Sequence, residues 1–170
     1  MKTRVLPWLI AASLLIGLSE TGAQTPAPAA SGDKPPATDG QVWGALIYAT
    51  DDAETIPDNG KTFPKEPADL EGRLRKVFDH KYLRIVGQHT QDILREYESW
   101  VVPSRDLFLK VDSNGPAAGG GIHLHLQFWQ GEQVLVKSDA VLRADSPLFI
   151  SGPKWRDGQL IFVLMLKAEH

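Results

Sequence analysis

Residues 160–166, Leu-Ile-Phe-Val-Leu-Met-Leu, are apolar at seven consecutive positions, and no other feature limits the fold of this chain as sharply. Seven residues are too few for a buried helix, and β-branched Ile and Val favour extended backbone, so the run predicts a strand. A strand with one wet face would alternate. This one does not, so both of its faces must be covered and it belongs at the centre of a sheet. Residues 42–49, Val-Trp-Gly-Ala-Leu-Ile-Tyr-Ala, read the same way. The cover on the second face is either another sheet layer of the chain or a partner subunit.

Between these runs one segment has helical period. Leu70, Leu74, Val77 and Phe78 recur at i, i+4, i+7 and i+8, the stripe of an amphipathic helix over about 67–79. Pro67 suits its first position, and Asp69 and Glu71 suit its positive end. The rest reads as strands: 82–88, 100–102, 107–111, 122–130 and 133–142, with 148–150 between Pro147 and Pro153 as an edge or strap. Asp157-Gly158 is a turn signal. The fold class expected is α+β, a mostly antiparallel sheet of about seven or eight strands with the helix packed on it.

The hairpin 122–142 allows a register to be argued. Pairing Phe128 with Val134, Leu126 with Val136 and Ile122 with Ala140 makes one face apolar throughout, with a three-residue connection, Gln130 to Glu132. A slip of one residue would scramble the faces.

The N-terminus speaks to location. Lys2 and Arg4 precede a nearly unbroken apolar run over 5–18, and Thr21-Gly22-Ala23 supplies small residues before a plausible cut. This is the pattern of a secretory signal peptide over 1–23. The apolar run falls short of the roughly 20 residues of a bilayer span, so no membrane span is expected once it is cleaved. Residues 24–40 hold Pro26, Pro28, Pro35 and Pro36 and no large apolar side chain, which predicts an extended tether. One globular domain over 41–170 follows. The chain is therefore expected to be exported, to the periplasm or beyond the cell. It contains no cysteine, so the domain is neither a disulfide scaffold nor a thiol enzyme. Its formal net charge of −3 becomes one unit more negative when Lys2, Arg4 and Glu20 leave with the signal, and nucleic acid is not an expected partner.

Candidate chemistry is sparse. His123-x-His125 puts two imidazoles on one side of a strand. In the register above, His123 faces Asp139 and His125 faces Lys137. His123, His125 and Asp139 form a candidate zinc or copper site, which His89 would join if its strand were adjacent. The competing reading is a solvated sheet face, and Lys137 argues against a dication there. Asp51, Asp52 and Glu54 are more simply a hydrated loop than a calcium site, and Gly119-Gly120-Gly121 lies in a connection with no helix to bind an anion. No nucleophile elbow, zinc-protease or phosphate-loop motif occurs, so no catalytic residue is assigned and no cofactor is expected. Trp155 and Arg156, beside the Asp157-Gly158 turn, are residue types that anchor interfaces.

The helix ending Leu-x-x-Val-Phe-x-x-Lys-Tyr-Leu at 74–83 and the Ser-Pro-Leu-Phe-Ile-Ser-Gly-Pro stretch at 146–153, behind an export signal and Pro/Ala tether, resemble exported bacterial β-rich proteins of no known activity. The resemblance implies an envelope-facing bacterial protein and carries no catalytic residues. The function expected is a non-enzymatic binding or scaffolding domain with an envelope or extracellular protein partner or a second copy of itself. Strand 99–102 would be a free edge for β-addition. The alternatives are the metal site above and a carrier of a small apolar ligand bound between helix and sheet.

Overall fold

The computed structural model describes residues 37–64 and 69–167; the expected signal peptide and most of the tether lie outside them. Among the described residues, eight strands form two four-stranded antiparallel sheets. They are β1 (Thr38–Thr50), β2 (Tyr82–Leu94), β3 (Glu98–Val101), β4 (Leu107–Pro116), β5 (Ile122–Gln130), β6 (Gln133–Leu142), β7 (Leu148–Trp155) and β8 (Gly158–Leu166). Sheet A runs β2-β1-β8-β7 and sheet B runs β3-β4-β5-β6. Among the described residues, no helix is long and apolar enough to cross a membrane.

The two doubly apolar runs are the two central strands of sheet A, paired Ala45 to Val163 and Leu46 to Phe162. Alternate residues serve two cores. Val42, Leu46, Tyr48, Phe162 and Leu164 join Leu109, Leu124, Leu126 and Phe128 of sheet B in one buried cluster. Phe128 and Phe162 meet edge to face with ring centres 5.5 Å apart. Ala45, Ile47, Ala49, Ile161 and Val163 belong to a second cluster with Leu70 and Leu74, edged by Phe63, Phe78 and Phe149.

The structure decides between the two covers left open above, and it corrects the extent of the helix and the start of the first strand. The strands form a two-layer sandwich, because β4 and β5 alternate apolar and polar residues and so leave one face of sheet B to solvent. The helix is a six-residue α1 (Leu70–Arg75), preceded by Asp69 at φ 64°. It ends where the N–H groups of both Val77 and Phe78 bond to the carbonyl of Leu74. Val77, expected on the buried stripe, is 62% exposed. The first strand also starts at Thr38, so residues 38–40, read as tether, are part of the sheet.

The hairpin register differs as well. Phe128 pairs with Val136, Leu124 with Ala140 and Ile122 with Leu142, and a bulge follows Phe128. Gln130 pairs with Gln133, leaving the two-residue turn Gly131-Glu132, with Gly131 at φ 55°. Glycine in the first central position is what the mirror-image type II turn requires. The expected pairing was two residues away over most of the hairpin. A shift of two keeps every side chain on its face, so the apolar pattern could not distinguish the registers.

One end of the sandwich is pinned by a clamp that spans both sheets. Asp39 on β1, its side chain 3% exposed, accepts from Arg95 beyond β2 and from Ser113 Oγ of β4 at 2.6 Å. The Arg95 hydrogen bond, helped by Ser113, holds the Asp39 carboxyl below its usual range against the opposing effect of burial.

Candidate functional site

The opposite end is open. A cleft of about 440 Å³ lies between the sheets there, a volume in the range of small-molecule sites. Its apolar walls come from Leu46 of β1, Val86 of β2, Leu107 of β4, Leu160 of β8 and Trp155 of β7. Bulges help to expose two of the lining residues. The β1–β2 register shifts between Leu46 and Ile47, leaving Val86 as the extra residue, and the β7–β8 register shifts over Gly152 and Pro153. Pro153 has no N–H to contribute at that break, and β7 is an edge strand, as the two prolines predicted.

Trp155 and Arg156 stand at the mouth. Trp155 is half-buried and packs edge to face on Tyr48, with ring centres 4.9 Å apart. Arg156 lays its guanidinium 4.4 Å from the centre of the Trp155 ring and donates to the carbonyl of Thr55 at 2.8 Å. Its backbone sits at φ 51°. That left-handed conformation costs a non-glycine residue about 1 kcal/mol or more, so the side chain, rather than the backbone, accounts for arginine at this turn. The turn is Arg156-Asp157, since Trp155 pairs with Gly158. Gly158 is instead a close-approach position, where a Cβ would lie 2.2 Å from the Ala49 carbonyl.

Tyr48 is wholly buried and donates its hydroxyl to Thr55 Oγ1 at 2.9 Å. Thr55 in turn donates to the Asp52 carbonyl and sits 3.1 Å from Thr50 Oγ1. This network fixes the loop that brings Pro57 and Asn59 to the cleft. Asp51 and Asp52, weighed above as calcium ligands, are used locally. Asp52 accepts from the Glu54 N–H, and Asp51 accepts from the Lys81 N–H, which keeps its carboxyl below the usual range.

The histidine constellation lies elsewhere, on the outer face of sheet B. His125, not His123, is opposite Asp139, with Nδ1 2.7 Å from Oδ1. His123 is opposite Val141, and Lys137 is opposite Gln127. His89 is on β2 of sheet A, where its Nδ1 accepts from the Val102 N–H at 3.2 Å. Two of the expected ligands thus touch. Among the described residues no group of three or more His, Asp or Glu side chains is placed to hold a metal ion. Strand 99–102 is at a sheet edge, where Ser99 Oγ accepts from the Leu94 N–H and the Val102 N–H is taken by His89.

On the same outer face, Trp100, Phe108 and Trp129 cluster with ring centres 5.6–6.3 Å apart. Beside them Lys110 bridges Glu98 at 2.6 Å and Asp112 at 3.3 Å. The Glu98 hydrogen bond raises the Lys110 ammonium above its usual range, and the Lys110 bond lowers Glu98. Cross-strand pairing gathers these residues from three strands, which no local sequence signal marks.

No known protein family, curated protein or solved structure matches this chain. Its geometry must speak for its function.

Proposed function

We propose that the chain is a non-enzymatic, exported binding domain whose site is the cleft at the open end of the sandwich. The observation that carries this reading is the cleft itself, an apolar-walled space between the two sheets with Trp155 and Arg156 at its mouth. The signal-like N-terminus and the proline-rich tether support export. Leu70 and Leu74 of α1, buried with Ile47 and Val163, support a scaffold whose sheet A stays fixed while the opposite end receives a ligand. The ligand space lies between the sheets rather than between helix and sheet, so this reading joins the binding-domain and small-ligand expectations in one place.

Native mass spectrometry of the full chain, recovered from cells that export it, tests the reading. The expected result is a co-purifying small molecule that Trp155→Ala releases. A chain carrying no added mass, or one that only captures a protein through other surfaces, would contradict it.

A further inference from the structure

We infer that the cleft takes a single-chain amphiphile, an apolar body with a monoanionic head, and this inference rests on the reading of the cleft as a binding site. Leu46, Val86, Leu107 and Leu160 give the cleft a continuous apolar wall, so an apolar body gains by entering. The mouth carries two cations, Lys154 and Arg156, both exposed. Among the described residues neither forms an ion pair with a carboxylate, while the other cations of the domain that do so lie at the clamp, on α1 and on the outer face of sheet B. Asp106 is the single carboxylate lining the cleft, so the mouth keeps a net positive charge.

Arg156 is held ready for such a head. One Nη donates to the Thr55 carbonyl and the plane rests on Trp155, which fixes the side chain; among the described residues its other N–H groups have no partner. Asn59 and Gln130, both exposed, add neutral donors to the lining, whereas the Ser104 hydroxyl is spent on the Leu107 carbonyl. An anion at this position would complete what the protein leaves unpaired, and a cationic head would meet repulsion from two sides.

The test is isothermal titration calorimetry of the full chain with decanoate and decyltrimethylammonium below their micelle concentrations and decanol below its solubility limit. Decanoate is expected to bind one per chain and at least about tenfold more tightly than the other two, the gain of a charge-assisted hydrogen bond. Lys154→Gln and Arg156→Gly, both at exposed positions, should each weaken decanoate about tenfold and weaken decanol by clearly less. Asp106→Asn should tighten decanoate. Asn59→Trp, which fills the mouth from an exposed position, should abolish all binding. If the three heads bind equally and Asn59→Trp still blocks them, the anion inference fails and the cleft reading stands. If nothing binds, or binding survives Asn59→Trp, both fail. Sedimentation with phosphatidylglycerol vesicles without binding of soluble decanoate would overturn the inference in favour of a membrane-held lipid.

Discussion

Tyr48 and Trp155 meet edge to face at 85°, and this contact ties the buried core of the sandwich to the mouth of its cleft. Truncating Trp155 to Ala should cost about 1–3 kcal/mol, because a half-buried aromatic partner is lost. Tyr48→Phe keeps the ring and removes the hydroxyl that holds Thr55. Its cost should be about 0.5–1.5 kcal/mol. Urea unfolding of both variants checks the order. A larger loss for Tyr48→Phe than for Trp155→Ala would contradict the packing described.

Gly158 and Gly131, each near a hairpin turn, should resist substitution for different reasons and to different degrees. At Gly158 a Cβ would meet the Ala49 carbonyl and the Tyr48 ring at 2.7 Å, so Gly158→Ala should destabilise by about 1–3 kcal/mol. Gly131 has open space but a left-handed backbone, which asparagine tolerates. Gly131→Asn should therefore cost less than Gly158→Ala, about 1 kcal/mol or under. Equal effects at the two positions, measured by calorimetry, would show that close approach does not explain Gly158.

Acid stability should depend on the clamp. The Asp39 carboxyl titrates below its unfolded value, near 3.9, because Arg95 and then Ser113 bond its charged form. The folded state thus binds fewer protons in that window. The stabilisation is complete above the unfolded pKa and disappears as pH falls through the lower folded one. Asp51 and Glu98 shift in the same direction but are exposed, so salt should weaken their share. Asp39→Asn is expected to lower stability at neutral pH and to flatten its decline below about pH 4 in high salt. An acid limb as steep as that of the parent chain would contradict the assignment.

The central strands were legible in the sequence because runs such as 42–49 and 160–166 lack alternation, and only double cover explains that. The edge position of β7 was legible from Pro147 and Pro153. The helix was overdrawn, since the spacing of Leu70, Leu74, Val77 and Phe78 fits a longer stripe than the backbone follows. Which histidine faces Asp139 was not legible, because a two-residue shift preserves both faces of the hairpin and the bulge after Phe128 has no marker. Trp155 and Arg156 stood out by residue type. The walls they border did not, since Leu46, Val86, Leu107 and Leu160 come from four strands in two sheets and meet only in the fold. Likewise Asp39, Arg95 and Ser113 are joined by topology alone.

The central claim, a ligand cleft at the open end of the sandwich, is tested most directly by amide chemical-shift mapping of the full chain titrated with decanoate. The account predicts saturable shifts grouped at Leu46, Val86, Leu107, Lys154–Arg156 and Leu160, with β3 and the His125–Asp139 face unmoved. Shifts confined to the outer face of sheet B around Trp100, Phe108 and Trp129, or none at all, would contradict it.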